Sequence, residues 1–334
     1  MIAVDDVLQS YTSRIYSHRS AWPRMQACMI QDSGRDVELA FGDLDVIREA
    51  DAWWISHGME FKDNYNLNGG WLPVHAERLR LMLEKGATRI VSLEREMPDL
   101  VGLLRPRAQK TEHDLSDIEW EHLGDLVKNV ATRTHFDLVP NYRRVVLGDS
   151  HSIARYRSGS IVLRNDGLTL HGLVRRGVGK MLEDAGVNRP VEKLVIQAGN
   201  IDVRHHLGRL LNYEKSIREM LDSLREQLVE LFREGMILDA EVTAPWPIEH
   251  EGRKLPKTGY YKKTPFYGSW EERNKIRQLM TDMMLDKFKN VKTWPDEWFK
   301  LDPEVYADRF MEKPRSVHLS PAFYEWDLEE NHGR

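Results

Sequence analysis

The sequence predicts an α/β protein in two parts, residues 1–140 and 141–334, and three observations point there. Short apolar runs rich in β-branched or aromatic residues alternate with longer segments of helical period, the alternation that builds parallel sheets. The 334 residues are 41% hydrophobic, enough for one large core or two ordinary ones and too apolar for a disordered or fibrous chain. A polar, largely helical stretch, 105–135, with its cap region at 114–117, links the two runs of alternation.

In the first part, 25–30 (Met-Gln-Ala-Cys-Met-Ile), 37–41 (Val-Glu-Leu-Ala-Phe) and 52–56 (Ala-Trp-Trp-Ile-Ser) read as buried strands bounded by Gly and Asp. Residues 74–85, introduced by Pro73 and stopped by Gly86, read as a helix, and 89–93 as a further strand. In the second part, 144–147, 161–163 and 193–197 read as strands, with a helix over 172–184. Ile217, Met220, Leu221, Leu224, Leu228 and Leu231 recur every three or four positions, which makes 213–233 a long amphipathic helix. A strand over 237–243 ends at Pro245 and Pro247, and 271–288 reads as a helix. Between them, Lys254, Lys257, Lys262 and Lys263 with Tyr260 and Tyr261 read first as a solvated loop and second as a contact for an anionic or sugar ligand. There is no internal repeat and no low-complexity tract.

Charge and cysteine content narrow the function classes. Lys and Arg total 48 against 53 Asp and Glu, so the net charge of −5 offers no basic surface and nucleic acid is not an expected partner. The single cysteine, Cys28, excludes an internal disulfide framework and a multi-Cys zinc site, and fits a reducing compartment. Residues 1–6 carry two acids where a secretory signal carries bases, and no apolar run approaches the ~20 residues needed to span a bilayer. A cytoplasmic protein without membrane association is expected.

The chemistry-bearing residues lie at predicted strand ends. Val-Val-Leu-Gly-Asp-Ser-His-Ser over 145–152 puts Ser150 on a turn straight after a strand, and in an open α/β sheet ligands bind outside the carboxyl ends of the strands. Such a serine alone is more often a helix cap than a nucleophile. Further pieces follow in order, however. Asp166-Gly-Leu-Thr169 follows the next strand, where Gly167 lets a backbone N–H approach a ligand closely. Ala198-Gly-Asn-Ile-Asp202 follows the strand after that, where the Asn200 amide can donate to the same oxygen. Near the C-terminus, Val317-His-Leu-Ser-Pro321 supplies an imidazole, His318, ahead of a predicted final helix. A serine, two oxyanion donors and a histidine are the parts acyl transfer needs.

With these four pieces, residues 141–334 resemble the SGNH (GDSL-type) hydrolases. Gly148-Asp-Ser150 is similar to the family's first block and marks Ser150 as nucleophile. Gly167 matches the second-block glycine, with Gly172 second to it. Gly199-Asn200 matches the third block, and His318, followed by Tyr324, matches the fifth. The resemblance implies a three-layer α/β/α, flavodoxin-like domain acting on an ester or acetyl group of a small molecule or carbohydrate, without a metal or organic cofactor. Two departures stand out. The family's fifth block reads Asp-x-x-His, yet Arg315 occupies the position three before His318, and the third-block Asp is displaced to Asp202. A Ser150–His318 dyad, or a carboxylate from Asp308 or Glu312, would have to serve instead. The segment Gly-Asn-Ile-Asp-Val-Arg-His-His over 199–206 also looks like a Gly-Glu-Ile-Asp-x-Arg stretch of some SGNH-like proteins. It makes Asp202, Arg204 and His206 candidates for substrate contact, alongside Asp149, His151 and Arg315; the plainer account has Asp202 and Arg204 pair to hold the loop.

The first part carries no motif of this specificity. His57 and Glu60, after a strand, and the Asn66-Leu-Asn-Gly-Gly70 turn read as structural before they read as ligand contacts. Gly177-Val-Gly179 lies within a helical pattern and fails the dinucleotide fingerprint, while His205 and His206, being adjacent, cannot face one ion. Three functions stay open: an SGNH-type esterase, deacetylase or acyltransferase; an SGNH scaffold that binds without turnover; and a two-lobed nucleotide-sugar-dependent transferase.

Overall fold

The computed structural model describes residues 2–5, 18–34, 36–39, 52–55, 90–91, 142–165, 167–246, 264, 266–301, 305, 309–312 and 316–326. The chain divides into two compact units, Met1–Asn141 and Tyr142–Arg334.

The first unit contains β1 (Ile2–Asp5), α1 (His18–Asp32), β2 (Val37–Leu39), β3 (Ala52–Ile55) and β4 (Ile90–Val91). The strands form one parallel sheet in the order β2-β1-β3-β4. Residues 25–30, read above as a strand, are instead the middle of α1. Met25 and the four successive residues Ala27–Ile30 are buried, so this part of the helix is covered on more than one face, and a short, mostly apolar run does not by itself separate the two periods. Burial beside Asp32 pushes the Cys28 thiol up to about 12, so it is an inert core group. The predicted helix over 74–85, the stretch 105–135, His57, Glu60 and residues 66–70 lie outside the described residues.

The second unit contains β5 (Arg144–Gly148), β6 (Ser160–Arg164), α2 (Leu170–Arg176), α3 (Val178–Asp184), β7 (Val191–Gln197), α4 (Tyr213–Arg233), β8 (Ile237–Thr243), α5 (Trp270–Lys287) and β9 (Val291–Lys292). Its five strands are all parallel, in the order β6-β5-β7-β8-β9. Val145, Val146 and Leu147 of β5 and Leu194, Val195 and Ile196 of β7 are buried, the unbroken apolar runs of strands covered on both faces. The segment 172–184 is two helices rather than one, because Gly177, at φ 90°, leaves the helical region and its N–H closes α2 on the Leu173 carbonyl. Helix α4 buries the predicted stripe from Ile217 to Leu231, and Asn212 caps it by accepting from the Lys215 N–H. A reciprocal Ser269–Glu272 capping box starts α5.

From β5 the chain goes first to β6 on one side and then to β7 on the other. Its direction therefore reverses at β5 and β7, and the crevice outside their carboxyl ends is where open α/β sheets bind ligands. Among the described residues no helix is long and apolar enough to cross a membrane. Residues 254–263 lie outside the described residues.

Candidate active site

Gly148 ends β5 hard against β7. A Cβ placed on it would lie 2.3 Å from the Gln197 carbonyl oxygen, so only glycine lets the strand ends close and lets the Asp149 N–H reach that oxygen at 3.0 Å. The chain then turns through Asp149, Ser150 and His151 into a short 3₁₀ turn, Ser152–Arg155, held by the Ser152 N–H on the Asp149 carbonyl. Ser150 is thereby left partly exposed at the switch point, while Asp149 and His151 on either side are buried.

The late histidine arrives on a hairpin. Met311 and Leu319 form an antiparallel bridge, with the Glu312 N–H on the His318 carbonyl at 3.0 Å and the Ser320 N–H on the Phe310 carbonyl at 2.7 Å. Phe310, Met311 and Leu319 root it in an aromatic cluster with Ala154, Trp246, Trp294 and Trp298. Rings stack from Trp294 to Trp298 at 5.8 Å and from Trp298 to Phe310 at 4.3 Å, which fixes the hairpin by packing.

This scaffold brings Ser150 Oγ and His318 Nε2 to 3.2 Å, across 168 positions of chain. On the other side of the ring, Nδ1 lies 3.7 Å from Glu312 Oε1. Ser316 positions that carboxylate: its hydroxyl donates to Glu312 Oε1 at 2.9 Å and accepts the His318 N–H at 3.1 Å. With a carboxylate facing Nδ1, that nitrogen carries the proton and Nε2 is left to accept from the serine. Burial pushes the His318 imidazole below its ordinary range, and the neighbouring His151 and Arg164 push the same way against the opposing pull of Glu312. A neutral imidazole at neutral pH is what a general base needs.

Asn200 is buried after β7. Its Oδ1 accepts the Trp246 N–H at 3.0 Å, which fixes the amide's orientation, and its Nδ2 has no partner among the described residues. A buried donor without an acceptor is costly unless something occupies its place during function. Gly167 sits on the turn after β6 at φ 80°, and among the described residues nothing lies within 4 Å of where a Cβ would stand.

Other candidates have different places. Asp149 and His151 are 0% and 1% exposed, so they cannot touch a substrate as proposed above; they pair with each other beneath the turn. The Asp202 carboxylate accepts the Leu170 N–H at 2.6 Å and the His171 N–H at 3.2 Å, capping the first turn of α2. Burial pushes its pKa up against those two bonds. Arg204 donates from Nε to the Asn200 carbonyl at 3.2 Å, tightening the loop that carries the amide. His206 and Asp202 line a cavity of about 550 Å³ together with Thr169, His171, Val174 and Met220. Burial pushes the His206 imidazole down, opposed by Asp202. Arg315, Asp308 and Asp166 lie outside the described residues. The predicted helix after His318 is a single 3₁₀ turn, Pro321–Phe323. Sequence reasoning missed Ser316 and Trp246; a hydroxyl two before the histidine, in Ser-Val-His, was the available signal for the first.

No family model matches the chain, and no curated protein sequence matches it. Among solved structures, one from Streptococcus pneumonia, provisionally assigned as a platelet activating factor, aligns with 57% of this chain and 82% of its own length. That alignment has 15% identity and a TM-score of 0.35.

Proposed function

We propose that the second unit is an SGNH-type serine hydrolase, a three-layer flavodoxin-like domain that works as an esterase, deacetylase or acyltransferase on an acylated sugar or other small ester. The observation that carries this reading is the 3.2 Å approach of Ser150 Oγ to His318 Nε2. Two further features support it: the Asn200 Nδ2, which has no acceptor among the described residues, and a carboxylate, Glu312, on the far side of the imidazole.

In this mechanism Ser150 Oγ attacks the ester carbonyl carbon as its proton passes to His318 Nε2. The carbonyl π electrons move to oxygen, and that oxyanion takes hydrogen bonds from Asn200 Nδ2 and the backbone N–H groups of Ser150 and Gly167. Glu312 steadies the imidazolium through Nδ1–H. Collapse expels the alkoxide, which leaves with the proton from His318. Water or an acceptor hydroxyl, deprotonated by His318, then attacks the acyl carbon, and the bond to Ser150 Oγ breaks as that oxygen takes the proton back from His318, releasing the acyl group and restoring the serine. The cavity beside Asp202 and His206 starts two residues past Gly167 and two past Asn200, and takes the bulky portion of the substrate.

The test is hydrolysis of p-nitrophenyl acetate by the wild type and by Ser150→Ala. Loss of turnover in the folded variant supports the reading, and turnover at the wild-type rate overturns it.

A further inference from the structure

His151 has both ring nitrogens engaged, and both partners are acceptors. Nε2 lies 2.8 Å from the Val317 carbonyl oxygen, which can only accept, so Nε2 carries a proton. Nδ1 lies 2.9 Å from Asp149 Oδ1, a contact that also requires a proton between the two atoms. The pair therefore holds two protons and is neutral as a whole. Asp149 Oδ1 accepts the His151 backbone N–H at 2.9 Å as well, and two donors on one oxygen favour the carboxylate over the acid. His151 is then an imidazolium with a buried counter-ion.

Its partners give this charge a role. Asp149 immediately precedes Ser150, and Val317 immediately precedes His318, so the ring joins the turn bearing one to the hairpin bearing the other across 166 positions of chain. The ring also packs edge-on to Trp246 at 4.4 Å and lies 5.2 Å from the His318 ring. The titratable and charged groups near the two imidazoles are Asp149, Glu312, Arg164 and Tyr324.

We propose that His151 is a positioning residue: held as a buried imidazolium by Asp149, it clamps the His318 hairpin to the Ser150 turn and sets the distance between the two. The inference builds on the hydrolase reading for its kinetic consequence, while the protonation of the pair is tested without it. In ¹⁵N-labelled wild-type protein at pH 7, both ring nitrogens of His151 should carry protons, as the two acceptor contacts require. A single ring N–H at pH 7 overturns the clamp whether or not the protein hydrolyses anything.

The kinetic arm uses His151→Gln, whose amide can keep only one of the two bonds. For p-nitrophenyl acetate, kcat should fall about 10- to 100-fold with KM within about twofold, the range expected when a catalytic pair shifts by about an ångström. The acid limb of the rate should also move to higher pH, because the positive charge beside His318 is gone. Equal losses in kcat and KM with an unmoved limb overturn the positioning role. A wild type that turns over no ester at all counts against the hydrolase reading, and the nitrogen signals then decide the clamp alone.

Discussion

Glu312 Oε1 stands 3.7 Å from Nδ1 of His318, on the opposite arm of one hairpin, with Ser316 hydrogen-bonded to both residues. Arg315 occupies the position three before the histidine in the sequence, and the pairing of Met311 with Leu319 brings the Glu312 carboxylate across to the ring. Glu312→Gln should therefore lower kcat by about 10²- to 10⁴-fold with little change in KM, since the amide can no longer stabilise an imidazolium. Steady-state kinetics on a short acyl ester read this directly, and an unaltered kcat would remove Glu312 from the site.

Asn200 offers a donor with no acceptor among the described residues and an acceptor that is already used. Asn200→Ala removes both, whereas Asn200→Asp keeps an oxygen for the Trp246 N–H and replaces the donor. Both variants should lose about 10²- to 10³-fold in kcat.

The pH profile follows from the His318 environment. Burial holds its pKa below the ordinary 6.5, and only the neutral ring can take the serine proton, so the acid limb of kcat/KM should have its midpoint below pH 6.5. In Glu312→Gln the upward pull of the carboxylate is lost and the limb should move lower still. A limb above pH 7 would contradict the buried, base-ready imidazole.

A buried ion network anchors the end of the 3₁₀ turn that follows Ser150. Arg155, 1% exposed, pairs with Glu241 on β8 and with Glu325, and donates to Thr243. Burial alone would raise the Glu241 pKa, but Lys193 and Arg155 outweigh it and bring it down to about 2. A carboxylate depressed from 4.5 to about 2 contributes stability that is complete above pH 4.5 and lost as pH falls toward 2. Glu241→Gln should therefore destabilise by about 3 kcal/mol at pH 7. The gap to wild type in urea unfolding should narrow below pH 4.5.

If the cavity takes the acyl or sugar portion of the substrate, binding and chemistry can be separated by mutation. Val174 and Met220 line it from α2 and α4, and neither Ser150 nor His318 is among its lining residues. Val174→Trp should raise KM for bulky acyl esters several-fold while leaving KM and kcat for an acetyl ester within about twofold.

Elements whose period survives in the local sequence were readable. The three- and four-residue spacing from Ile217 to Leu231 placed α4 residue for residue, and the apolar runs of β5, β7 and β8 placed the sheet. Residues 25–30 misled because five apolar residues around Gln26 fit either a strand or the inside of a helix, and only the longer span of α1 decides between them. Ser150, Asn200 and His318 were visible because each closes a motif at a strand end or loop. Glu312 was visible only as one of two substitutes, since its role depends on hairpin pairing rather than on spacing. The stacking of Trp294, Trp298 and Phe310 behind that hairpin is tertiary, so nothing in the local pattern announces it.

The most direct test is reaction of the folded protein with a fluorophosphonate, followed by mass mapping of the adduct. One equivalent on Ser150, absent from Ser150→Ala and strongly slowed in His318→Gln, is the predicted result. A folded wild type that takes up no label at Ser150 would contradict the assignment of this serine as a nucleophile.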